Sequence, residues 1–130
     1  MRALVALAAL LLLAGNAPEE EPQGEPPHPI EGEWTVDLRL SISDPPYTQP
    51  MEIRLSHTNE VTGIFYGSQI EAGKLGSAQG RECIAFRTSD NSGAYQHSAC
   101  LVGAVLVGQS WSEGRGFVLP WTATPTASGD

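Results

Sequence analysis

Residues 81–101 read RECIAFRTSDNSGAYQHSACL, two alternating runs about a short polar turn. Ile84 and Phe86 alternate with smaller or polar neighbours before Asn91-Ser92, and Tyr95, His97, Ala99 and Leu101 alternate after it. A period of two places successive side chains on opposite faces of a strand, and a two-residue turn between two such runs makes a hairpin. Such a turn at Asn91-Ser92 pairs Asp90 with Gly93 and, counting outward, Cys83 with Cys100. The alternation of bonded and non-bonded pairs puts the cysteines on a non-hydrogen-bonded pair, where Cα atoms lie ~4.5 Å apart, at the short end of disulfide geometry. A structural disulfide between Cys83 and Cys100 is expected.

Beyond this hairpin, no stretch between Gly32 and Ala123 carries the 3.6-residue period of an amphipathic helix, so an all-β domain is expected. Trp34, Val36, Leu38, Leu40 and Ile42 alternate with polar residues and define a first strand. Met51, Ile53 and Leu55 define a second, after a loop holding Pro45, Pro46 and Pro50. Turns at Thr58-Asn59, Ala72-Gly73, Gln79-Gly80, Asn91-Ser92, Val102-Gly103 and Glu113-Gly114 divide the remainder into six more strands. Residues opposite one another across an even-length loop share a face. Propagated from strand two, this rule gathers one inner set: Ile64, Tyr66, Leu75, Ile84, Phe86, Tyr95, His97, Ala99, Leu101, Ala104, Leu106, Gly108, Phe117, Leu119 and Trp121. Eight antiparallel strands in a simple meander avoid two open edges by closing into a small barrel. Pro120, which lacks an N–H, predicts a bulge or an imperfect seam in the last strand, and an open two-sheet sandwich is the alternative.

The ends of the 130-residue chain have a different character. Met1-Arg2, an unbroken apolar run over 3–14 and small residues at 15–17 have the layout of a secretory signal peptide, 1–17, too short to span a membrane. Pro18 blurs its cleavage site. Residues 18–31 hold five prolines and five glutamates and predict an extended, disordered leader; 124–130 predict a disordered tail, leaving 32–123 as the barrel domain. An exported, periplasmic or secreted protein is expected, in a compartment where Cys83 and Cys100 can oxidise. The formal charge is -8, with 15 acidic against 7 basic residues. Most of that excess sits in the leader, and the balance argues against nucleic acid as a partner.

Gly32-Glu33-Trp34, opening the first strand of an eight-stranded meander, resembles the G-x-W start of calycins, the lipocalin and avidin superfamily. The resemblance implies a small barrel whose Trp plugs the closed end against a basic residue from the last strand, a part that falls to Arg115. The chain is also similar to uncharacterised small secreted proteins of proteobacteria, through stretches such as residues 61–68 and Arg115-Gly116-Phe117; that likeness implies no activity.

No hydrolase elbow, phosphate-binding loop, dinucleotide fingerprint, C-x-x-C pair or H-E-x-x-H motif is present. His28, His57 and His97 have no metal-ligand spacing, so neither cofactor nor metal is expected. The polar feature of the expected core is a cluster near one barrel end. The registers align Thr88, Tyr95, Ser110 and Phe117, beside a row of Phe86, His97, Gly108 and Leu119, with Gly108 leaving space next to His97. Tyr66, Thr88, Tyr95, His97 and Ser110 are thus candidate ligand-binding residues, for a small apolar or amphipathic ligand. On the outer face Val105, Val107, Trp111 and Val118 make a hairpin apolar on both sides, a candidate surface for a second copy or a protein partner. The expectation is a non-enzymatic exported barrel that binds a small ligand or partner. The alternative is an inhibitor of an exported hydrolase acting through the arm at 18–31.

Overall fold

A computed structural model describes residues 26–127. The expected signal peptide, residues 18–25 of the leader and the last three residues lie outside the described residues. The strands are β1 (Gly32–Asp37), β2 (Thr48–Leu55), β3 (Glu60–Phe65), a two-residue β4 (Ser68–Gln69), β5 (Glu71–Ala78), β6 (Arg81–Asp90), β7 (Gly93–Val102), β8 (Val105–Ser112) and β9 (Phe117–Pro125). Neighbours in sequence pair antiparallel, except that β4 and β5 both pair with β3, and β9 returns to β1 through Trp34–Asp37 against Thr122–Pro125. The sheet is therefore a closed barrel, which removes the exposed edges that a sandwich would keep. β4 and β5 are successive parts of one kinked strand, so eight strands make the ring. Among the described residues no helix is long and apolar enough to cross a membrane.

The β6–β7 hairpin has the register read from its turn, from Asp90 opposite Gly93 to Cys83 opposite Cys100. The two cysteines are bonded, with Cα atoms 4.0 Å apart. They lie on the outer wall, because their strand neighbours Ile84 and Ala99 are buried inside.

Elsewhere the structure corrects the reading. β1 ends at Asp37, and Leu40 and Ile42 are 86% and 94% exposed. Asp37 causes the stop: its carboxylate accepts from the Arg39 backbone N–H and Nε, which turns the chain out of the sheet. The bond to Arg39 also holds the Asp37 pKa below its ordinary value.

The loop after β2 is odd. Ser56 N–H donates to Glu60 O, leaving three residues between them, with Asn59 at φ 64°; a three-residue loop ending in a left-handed residue is a standard hairpin connection. Met51 consequently faces Phe65, and Leu55 faces Val61. Val61 and Phe65 are buried, whereas Ile64 and Tyr66 are 44% and 46% exposed, reversing the expected face of this strand. The next turn is at Tyr66-Gly67, both at positive φ, and not at Ala72-Gly73. An extra residue at Ala72 (φ 52°) then forms a bulge between Glu71 and Lys74 that shifts the parity back. Leu75 thus faces Ile84, as the even-loop reading requires.

Two later loops each move the register by two residues. One turn sits at Gly103-Ala104, leaving Ala104 exposed and outside the core, and the other loop spans residues 113–116. An even shift preserves faces but changes partners: Ser110 lies opposite His97 and Leu119, and Gly108 opposite Ala99 and Trp121. Pro120 pairs with Gln109 without a bulge; it lies beyond the β1–β9 seam, where no ladder bond from β1 is asked of it.

The barrel is sealed at one end from within the segment expected to be leader. Ile30 is fully buried, Trp34 Nε1 donates to its carbonyl at 2.9 Å, and Glu31 accepts from Leu55 N–H at 2.8 Å. His28 Nδ1 accepts from Ile30 N–H, so its Nε2–H faces Glu82 at 2.7 Å. Residues 28–31 are thus built into the domain, as are residues 124–126, where β9 runs to Pro125 and Thr126 N–H donates to Glu33 O. Trp34 sits against Ile30 and Pro125 at this end, while Arg115 precedes β9 at the other. The partnership that the calycin resemblance implied for these two residues is therefore not formed.

Candidate ligand site

The opposite end is open because β1 stops early. β9 continues past its last pairing with Asp37, and a cavity of about 560 Å³ lies at this end, lined in part by Leu38, Leu40 and Tyr47 from the chain that follows β1. Its walls are largely apolar, with Leu38, Leu40, Phe65, Phe117 and Leu119 among them. All five candidate residues line it. Thr88, His97 and Ser110 are buried, Tyr95 is half-buried, and Tyr66 stands on the rim, where its hydroxyl meets that of Tyr47. That bond, together with desolvation, raises the Tyr66 pKa.

Cross-strand register builds the floor. Thr88 on β6, His97 on β7, Ser110 on β8 and Trp121 on β9 all face inward. His97 Nε2 lies 2.8 Å from Thr88 Oγ1, and its Nδ1 lies 2.6 Å from Ser110 Oγ. Trp121 Nε1 donates to the same Ser110 oxygen at 2.8 Å. The imidazole is packed among rings, 4.3 Å from Phe65 and 4.8 Å from Phe86 between centroids, with Tyr95 nearly parallel at 6.3 Å. Burial without a counter-charge penalises the imidazolium and lowers the His97 pKa from 6.5 to about 4. At neutral pH the ring is uncharged.

At the rim the Arg115 guanidinium lies 5.0 Å from the Phe117 ring centroid, within cation–π range. The Tyr95 hydroxyl near it is the first cause that raises its pKa. Among the described residues it has no carboxylate within salt-bridge distance.

Gly108 does not leave space beside His97. A Cβ there would stand 2.8 Å from the Trp121 ring and 2.6 Å from Ser98 O, so the missing side chain makes room for the indole that reaches Ser110. Sequence reasoning assigned neither Trp121 nor Phe65 to the site. An inward indole whose N–H needs an acceptor was a usable signal for the first. The left-handed tolerance of Asn59, which makes the loop odd, was the signal for the second. The four outer residues are divided: Val105 is half-buried, while Val107, Trp111 and Val118 are 48%, 45% and 58% exposed, with Trp111 directly opposite Val118.

Comparison with known protein families, characterised proteins and solved structures finds no match for this chain.

Proposed function

We propose that this chain is an exported, non-enzymatic barrel that carries a small, mostly apolar ligand in the cavity at its open end. The observation that carries the reading is the asymmetry of the barrel: one end is sealed by Ile30 and Trp34, and the other holds a cavity with apolar walls and a buried polar floor. A few convergent polar groups in an apolar concavity are the usual make-up of a small-molecule site. The G-x-W opening of an eight-stranded meander supports kinship with calycin-type binding barrels. The disulfide is compatible with export to an oxidising compartment.

A Ser next to a His invites a hydrolase reading, but the chemistry disfavours it. With a pKa of about 4 the imidazole is a weak base at neutral pH. Its second nitrogen meets a threonine hydroxyl where a carboxylate would stabilise the imidazolium.

Native mass spectrometry of protein purified from its exported fraction tests the proposal. A reproducible small extra mass in the native spectrum, lost on denaturation and absent from a His97→Leu variant, is the expected result. An unchanged ligand load in that variant would move the site elsewhere.

A further inference from the structure

The floor of the cavity has one hydrogen more than it can use. Its donors are the Trp121 indole N–H, the Ser110 and Thr88 hydroxyls and the single N–H of neutral His97, four hydrogens in all. Only three hydrogen bonds join these groups. If Nε2 carries the imidazole proton, it donates to Thr88, Ser110 donates to Nδ1, and the Thr88 hydroxyl hydrogen is left over. If Nδ1 carries it, Thr88 donates to Nε2, and the hydrogen left over belongs to Ser110. The surplus is therefore independent of the tautomer, and among the described residues neither hydroxyl has a further partner. Both side chains line the cavity. Solvent can accept this hydrogen, but a molecule that displaces solvent must accept it in turn or leave a buried donor unpaired.

The groups around that point restrict what the acceptor can be. No cation belongs to the floor: the imidazole is neutral, and the Arg115 guanidinium stands at the rim with Tyr95 and over Phe117. A carboxylate pushed to the floor would lose its hydration without gaining a counter-charge. Rings line the cavity beside the floor, Phe65 and Tyr95 about His97 and Phe117 next to Tyr95, which favour a flat apolar body.

We infer that the cavity selects a flat apolar molecule carrying one uncharged hydrogen-bond acceptor of the carbonyl type, inserted acceptor-first against Thr88, His97 and Ser110. This rests on the cavity being a ligand site and names the class of ligand it takes.

Three probes of one shape test it on the chain lacking only its signal segment: 2-acetylnaphthalene labelled with ¹³C at the carbonyl, 2-ethylnaphthalene and 2-naphthoate. Relative to its own water–octanol partition, the ketone should bind about tenfold tighter than the hydrocarbon, the equivalent of one hydrogen bond, and tighter than the carboxylate. Its carbonyl resonance should move downfield of its position in hydrocarbon solvent. Leu119→Trp, which fills the cavity over Ser110, should abolish ketone binding while its thermal midpoint shows that the barrel remains folded. Equal binding of ketone and hydrocarbon would overturn the acceptor inference and leave the ligand site standing, as would tightest binding of the carboxylate. Failure of all three to bind the unmodified barrel would bring down the ligand reading itself, and undiminished ketone binding by a folded Leu119→Trp variant would place the probe outside this cavity.

Discussion

His97 is a titratable group closed inside a barrel, and its proton affinity ties stability to pH. As pH falls below about 6.5 the unfolded chain takes up a proton on this imidazole, whereas the folded barrel resists until about 4. The unfolded state binds more protons in that window, so stability falls as pH falls. The contribution is fully present above pH 6.5 and lost on the way to 4, on the order of 2–3 kcal/mol. Urea unfolding at a series of pH values should show this slope in the wild type and a shallower one in His97→Gln, whose amide can keep both hydrogen bonds without titrating. Gly108 makes a second prediction. The Cβ of Gly108→Ala would overlap the Trp121 ring and two β7 neighbours, so a loss of about 1–3 kcal/mol is expected. A change in indole fluorescence should accompany it as Trp121 leaves Ser110. At this scale the sequence marked Thr88, Tyr95, His97 and Ser110 as inward through strand parity alone. It missed who touches whom, because a turn that slides by one residue, like a loop longer by two, moves every partner while leaving every face unchanged.

Among the elements, the β6–β7 hairpin is the one held covalently. Closing a loop of 17 residues removes unfolded-state entropy worth roughly 3 kcal/mol in the chain-entropy model. The paired substitution Cys83→Ser with Cys100→Ser should lower the unfolding free energy by about 2–3 kcal/mol in urea. A thiol titration of the native, non-reduced protein should find no free sulfhydryl. This hairpin was wholly legible, since two cysteines at symmetrical distances from a two-residue turn leave one register. The β2–β3–β5 region was not. There an odd loop at Asn59 and a bulge at Ala72 invert the pattern and then restore it, both through non-glycine residues at positive φ. Side-chain periodicity reports the sum of such shifts and hides each one.

For the whole molecule the decisive fact is that eight strands form a ring with different ends. Alternation along the chain revealed the ring, but its asymmetry was hidden in residues that composition made look structureless. Ile30 is an isolated apolar residue between prolines and glutamates, and only the structure shows it filling the sealed end. Ile30→Ala should cost about 2–4 kcal/mol, as for other large-to-small changes at a fully buried site, measured by chemical unfolding. The same substitution should leave the shape of the cavity at the other end intact. Its effect on a bound ligand would then track only the population of folded barrel.

The bonding of β9 to β1 has one more consequence. With Thr126 tied to Glu33 and Thr35, the two ends of the domain are neighbours, and the order in which the chain visits the strands is only one way around the circle. A linker joining these ends, with a new opening at the exposed Asn91-Ser92 turn, would give a circular permutant with the same pairings and the same cavity. In that permutant Cys83 and Cys100 would lie near opposite ends of the polypeptide, and their bond would close almost the entire chain into a loop.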